Sequence, residues 1–246
     1  SAAFDGFRTA IRRLAAESET RRRRAGSFAV EILGKRLLSC PTAFAESWRR
    51  CREGLTEGAA ANEADVMTAK RNVERETGDD RETQSREATA AGVVGAWLKA
   101  VAADLQEEIA AIDAAVCGMG FALSQNNLEM QNPSADARFA ALTDLIEKLL
   151  RPEKTWRNDE RLVVFTEYKT TLDYLTRRLR ERYEPDRILT LFGGMDEQER
   201  DLVKNAFNDP NHKVRILLAT DAAAEGLNLQ RTARYLLHFD CPWNPS

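Results

Sequence analysis

With 246 residues and 43% apolar side chains, the chain is long enough to bury a sizeable core and reads as globular, one large domain or a domain with an extension. No apolar run approaches the roughly 20 residues that a membrane-spanning helix requires. Ser1–Arg24 lacks the apolar centre and cleavage site of a secretory signal. A cytoplasmic protein with no membrane partner is therefore expected.

The formal net charge of −3 conceals three segments: residues 1–52 carry a net +7, 53–135 a net −9 and 136–246 a net −1. Phosphate is attracted by the first and repelled by the second, so three units with different neighbours are expected, the middle one off nucleic acid. Cys40, Cys51, Cys117 and Cys241 form no Cys-x-x-Cys pair, and only His212 and His238 offer imidazoles. Reduced thiols and no metal site follow.

In chain order, Phe4, Phe7, Ile11 and Leu14 fall at helical spacing, with Arg8, Arg12 and Arg13 on the other face. Arg21, Arg22, Arg23 and Arg24 continue that charge, either as a solvated helix face or as phosphate contacts. A second helix is expected over 27–38, ending at Ser39-Cys40-Pro41 because a residue before proline disfavours helical geometry. Thr42 is the expected cap of a third, in which Phe44, Trp48 and Cys51 share a core-facing stripe.

Residues 53–90 hold few large apolar side chains and read as a flexible linker or a solvated helix, with Gly78-Asp79-Asp80 as the break. From Val94, one stripe runs through Trp97, Leu98, Val101, Leu105, Ile109, Ile112 and Val116 to Gly118 or Gly120. It predicts half of a helical hairpin or, alternatively, a docking helix for a protein partner. The expected units are thus 1–52 (basic helices), 53–135 (an acidic helical insertion) and 136–246.

The last unit opens with a helix over 138–150. Strand 161–166, helix 171–183, strand 187–192, helix 196–207, strand 214–219, a short helix near 222–225 and strand 235–239 follow. Asp196 and Glu199 form a capping-box pattern. Short apolar strands alternating with helices predict an α/β fold built on a parallel sheet. Ligands gather outside the carboxyl ends of such strands, so Thr166, Thr220, Gly226 and Asn228 are candidates for one crevice.

Four features occur in order: Phe165-Thr166-Glu167-Tyr168 before Thr171-Leu172-Asp173-Tyr174-Leu175; Phe192-Gly193-Gly194-Met195 before Glu199-Arg200; Thr220 to Asn228; and His238-Phe239-Asp240-Cys241-Pro242-Trp243-Asn244-Pro245. Together they resemble motifs IV and V, and the approach to motif VI, of the second RecA-like lobe of a superfamily-two helicase. The Swi/Snf type is the nearest, in its bacterial RNA-polymerase-associated and phage-defence forms. The resemblance covers 136–246 and extends more weakly over 1–52, where Val30–Leu55 is similar to the linking helices before that lobe. It implies a Gln-Arg-x-Gly-Arg-x-x-Arg segment after Pro245, and the chain is expected to be a piece of a longer polypeptide.

The resemblance also implies roles. Thr166, Thr170 or Thr171, and Thr220 match positions that touch the tracking strand, although Thr170 or Thr171 could equally cap the next helix. Lys169 is a further point-charge contact for phosphate. Gly226 and Asn228 match positions facing the nucleotide; Asp221 and Glu225 receive no role. Gly193-Gly194 either presents amides to phosphate or only turns the chain.

The sequence contains no Gly-x-x-x-x-Gly-Lys-Ser/Thr loop and no Asp-Glu-x-His-like segment. No catalytic residue is assigned, and this chain alone is not expected to turn over ATP. ATP and magnesium are expected in the full-length motor, on a first RecA-like lobe supplied in cis. The expected function is that of the second lobe of an ATP-dependent DNA translocase, holding the nucleic-acid backbone and closing on ATP. The alternatives are a protein-interaction module built on the helical insertion with the lobe as scaffold, or the same motor on RNA.

Overall fold

The computed structural model describes residues 2–16, 20–125, 128–224, 228–229 and 231–240. The chain divides into two compact units, Ser1–Glu76 with Glu82–Ala135, and Thr77–Arg81 with Asp136–Ser246.

The first unit is all-helical: α1 Ala2–Ala16, α2 Thr20–Ser39, α3 Pro41–Thr56, α4 Glu63–Glu74, α5 Asp80–Leu98 and α6 Gln106–Gly118, with the 3-10 stretch Lys99–Leu105 between the last two. Asp80 and Arg81, which open α5, group with the second unit. Phe4, Phe7 and Ile11 of α1 share one core with Phe44 and Trp48 of α3 and with the stripe from Val94 to Val116. The segments 1–52 and 53–135 thus bury their apolar faces against each other, despite their opposite charge.

Pro41 stops α2 as its sequence predicts, but the cap of α3 is Cys40, whose Sγ accepts from the Ala43 amide at 3.3 Å. Thr42 lies one residue inside the helix. Burial holds the Cys51 thiol up at about 12, so it stays protonated. Helices α3 and α5 cross at glycines: a Cβ at Gly95 would overlap the Cys51 carbonyl.

Residues 63–74, read from composition as linker or solvated helix, form α4. Asn62 caps it by accepting from Ala64 and Asp65, Asp65 returns the bond to the Asn62 amide, and Val66 and Ala69 are buried. Local capping and two small anchors suffice where large apolar residues are few.

The stripe from Val94 to Val116 is buried within its own unit, which supplies the cover that a docking partner would otherwise provide. By length and hydropathy the helical run 80–118 could cross a membrane, contrary to the reading of the sequence. Half of its apolar window is buried inside the protein, as in a core helix.

The second unit contains α7 Ala137–Leu149, β1 Leu162–Thr166, α8 Lys169–Arg182, β2 Ile188–Leu191, α9 Glu197–Asn208, β3 Ile216–Thr220, α10 Asp221–Ala224 and β4 Tyr235–His238. The strands form a parallel sheet in the order β2-β3-β1-β4. This is the expected RecA-like α/β architecture, preceded by an all-helical region. Asp136 caps α7 through the amides of Arg138 and Phe139, and its other oxygen accepts from the Tyr174 hydroxyl at 2.7 Å, tying α7 to α8. Asp196 caps α9 through the Gln198 amide, the second donor rather than the third that a capping box uses.

Along β1 and β3, Val163, Phe165, Leu217 and Ala219 pack with Phe207 of α9 and Ala223 of α10. The alternate residues, Leu162, Val164, Ile216 and Leu218, are buried on the opposite face. Both faces are covered, which is why these strands read as unbroken apolar runs.

Candidate nucleic-acid interface

The pairing of β1 with β3 sets Thr166 beside Thr220 at the carboxyl ends of the two central strands. From β1 the chain crosses to β2 on one side; from β3 it crosses to β4 on the other. Connections that leave adjacent strand ends in opposite directions open a crevice between them, the position where open α/β sheets bind ligands. Because strand residues alternate, Thr166 continues the face of Leu162 and Val164, and Thr220 that of Ile216 and Leu218, opposite to the face that packs on α9 and α10.

Both hydroxyls are buried, and both donate to carboxylates. Thr166 Oγ1 donates to Asp240 Oδ2 at 2.8 Å, and the Glu167 amide donates to Asp240 Oδ1 at 3.1 Å. Thr220 Oγ1 donates to Asp80 Oδ2 at 2.6 Å, and the Gly193 amide donates to the same oxygen at 2.5 Å. Each strand end thus sets a hydroxyl and a backbone amide on a carboxylate of the same unit, and hydroxyls and amides are also the donor types that hold a phosphate backbone without reading bases. Sequence reasoning singles out neither carboxylate for a role. Asp240 does carry a signal, lying just beyond a strand's carboxyl end; Asp80 carries none.

Lys169 opens α8. Its Nζ pairs with Asp173 at 2.5 Å and lies 4.4 Å from the centre of the Phe192 ring, next to Gly193. Thr170 and Thr171 lie in the first turn of α8, half-buried and buried respectively. The N-cap is Tyr168, without a side-chain cap bond, so neither threonine is the cap that the sequence allows for. Asn228 is exposed, and its carbonyl accepts from Asn208 Nδ2 at 3.0 Å. Gly226 lies outside the described residues, as do Glu225 and residues 241–245 of the last motif. Arg21, Arg23 and Arg24 are exposed and Arg22 half-buried on α2, in the helical unit.

Asp221 follows Thr220 directly. Burial raises its carboxyl above the ordinary value; His238, with Nδ1 at 3.9 Å, opposes this, and Asp240 and Asp80 reinforce it. The His238 ring stacks on Phe165 at 5.4 Å. Three carboxylates thus share the strand-end region.

Residues 138–246 match the helicase conserved C-terminal domain. Over 104 residues, 42% of this chain and 16% of the relative, the chain is 32% identical to the uncharacterized ATP-dependent helicase YqhH of Bacillus subtilis. It is 36% identical over 91 residues to the DNA repair and recombination protein RAD54 of Oryza sativa subsp. japonica, covering 37% of this chain and 9% of that one. It is 32% identical over 109 residues to the chromatin structure-remodeling complex subunit snf21 of Schizosaccharomyces pombe, covering 44% and 9%. The matching stretch spans less than a fifth of each of these relatives.

Proposed function

We propose that residues 138–246, which match the helicase conserved C-terminal domain, are the C-terminal lobe of a Swi/Snf-type ATP-dependent helicase, and that the chain is the part of a DNA translocase that grips the sugar-phosphate backbone. The observation that carries this reading is the in-register pair Thr166 and Thr220, each with its hydroxyl donating to an anionic oxygen at the switch point of the sheet. Lys169 adds a positive charge beside them, and Arg21 to Arg24 add long-range attraction from the helical unit.

In the full-length motor this lobe closes on ATP and magnesium held by a first RecA-like lobe in cis, with Gly226 and Asn228 toward the nucleotide. No step of hydrolysis is assigned to this chain, which is expected to show no ATP turnover with or without DNA. Cytoplasmic placement belongs to the same proposal.

Titration of a labelled DNA duplex and a labelled RNA strand against the 246-residue chain tests the reading. Weak, sequence-independent DNA binding is expected, lost in the chain carrying both Thr166→Val and Thr220→Val. Preference for RNA would move the motor to an RNA track; no binding to either would overturn the proposal.

A further inference from the structure

The turn Thr77–Arg81 lies far from the sheet in sequence, yet it groups with the sheet unit. It is held there by a two-way hook: the Gly193 amide donates to Asp80 Oδ2 at 2.5 Å, and the Asp80 amide donates back to the Gly193 carbonyl at 3.1 Å. Thr220 donates to the same Asp80 oxygen across 140 residues of sequence. Asp80 is buried.

The fit is close on both sides. A Cβ on Gly193 would come within 2.5 Å of the Gly78 carbonyl, and one on Gly194 within 2.5 Å of the Asp79 carboxyl carbon. Gly78 has φ +66°, the left-handed region that glycine enters without strain. The Thr77 hydroxyl accepts from the Asp79 amide at 2.8 Å and Asp79 Oδ1 accepts from the Arg81 amide at 2.8 Å, which shape the turn. The Arg81 guanidinium lies 5.0 Å from the centre of the Phe192 ring, which Lys169 also approaches.

We infer that this acidic turn is an internal competitor of nucleic acid, with the Asp80 carboxylate in the place of a backbone phosphate on Thr220 and Gly193. The inference rests on the proposed grip of those residues on the backbone. A carboxylate and a phosphodiester are both anionic oxygen acceptors. A threonine hydroxyl and a backbone amide each have one proton to donate, so the two anions exclude each other at these donors. Nucleic acid must therefore displace the turn, and the apparent association constant is the intrinsic one multiplied by the fraction of molecules in which the turn is released.

The test compares the 246-residue chain with Asp80→Asn and with the pair Asp79→Ser and Asp80→Ser, by anisotropy of a labelled DNA duplex. Removing a charge-assisted contact of this kind is expected to tighten binding on the order of tenfold. Adding Thr220→Val to Asp80→Asn should abolish the gain. In the unaltered chain, hydrogen exchange over residues 77–81 should accelerate when duplex is added, a readout that needs no variant. Equal or weaker binding by the Asp80 variants, with 77–81 still protected in the presence of duplex, overturns the competitor while leaving the grip intact. If no form binds duplex, the grip itself fails and the competitor falls with it.

Discussion

The buried arginines of the two units are satisfied in different ways. In the helical unit, side chains pair with one another: Arg36 with Glu87, Trp48 Nε1 with Asp113 at 2.7 Å, and Arg49 with Glu46 and Glu53. In the sheet unit, Arg161 and Arg215 instead bond to backbone carbonyls, and Thr166 and Thr220 turn toward carboxylates at the strand ends. Closed side-chain pairs lock helices together. Hydroxyls and amides facing an anion can exchange one anion for another, as the proposed grip on phosphate would require.

The largest effect is expected in the helical core. Trp97 is buried, so Trp97→Asp places an unpaired charge there and should cost more than about 4 kcal/mol, enough to unfold the unit. Because residues 1–52 share that core, their amides should lose exchange protection along with those of 82–118, while β1 and β3 stay protected. Loss of protection in both units at once would show them to be one cooperative structure.

Arg161→Leu probes the other pattern. Arg161 donates to the carbonyls of Phe207, Asp209 and His212 at and beyond the end of α9, and burial, reinforced by Arg215, lowers its pKa. Leucine leaves those carbonyls without their donor, at a cost of about 3 kcal/mol. A lower urea midpoint for the sheet unit, with the helical unit unchanged, is the expected result.

Asp221→Asn should have a smaller, pH-dependent effect. Its folded-state pKa is raised, so the fold favours the protonated form. The stability this contributes is full below the unfolded value of about 4 and is lost as pH rises through the raised folded value. The asparagine variant should therefore gain on the parent at neutral pH and not at about pH 3, below the unfolded value. The side chain is 43% exposed, so screening by solvent keeps the gain to about a few tenths of a kcal/mol. Melting temperatures of the two proteins across that pH range give the comparison.

The strands and their order along the chain are legible because 162–166 and 216–220 are short apolar runs ending in threonine beside polar turns. The helices are legible where the apolar spacing is regular, as in α1, whereas the stripe Val94–Val116, which reads as one helix, is interrupted by the 3-10 stretch Lys99–Leu105. The start of α8 at Lys169 and the cap at Cys40 are not, because α8 begins without a side-chain cap bond and a thiol is not among the usual capping groups. Sequence names Thr166 and Thr220 but cannot show that they pair in register, which depends on strand order. Asp80 is illegible for a different reason. Summed charge places an acidic segment away from phosphate, whereas a single carboxylate can occupy the site that a phosphate would use.

If the grip is divided as proposed, positioned contact resides in the sheet unit and long-range attraction in the helical one. Titration of a labelled duplex at several salt concentrations separates the two. Replacing Arg21, Arg22, Arg23 and Arg24 with glutamine should flatten the dependence of affinity on salt, because fewer counterions are released. Thr220→Val should weaken binding by a similar factor at every salt concentration, because it removes a neutral donor. An arginine variant that binds with the parent's slope, or a Thr220→Val chain that binds as tightly as the parent, would contradict that division.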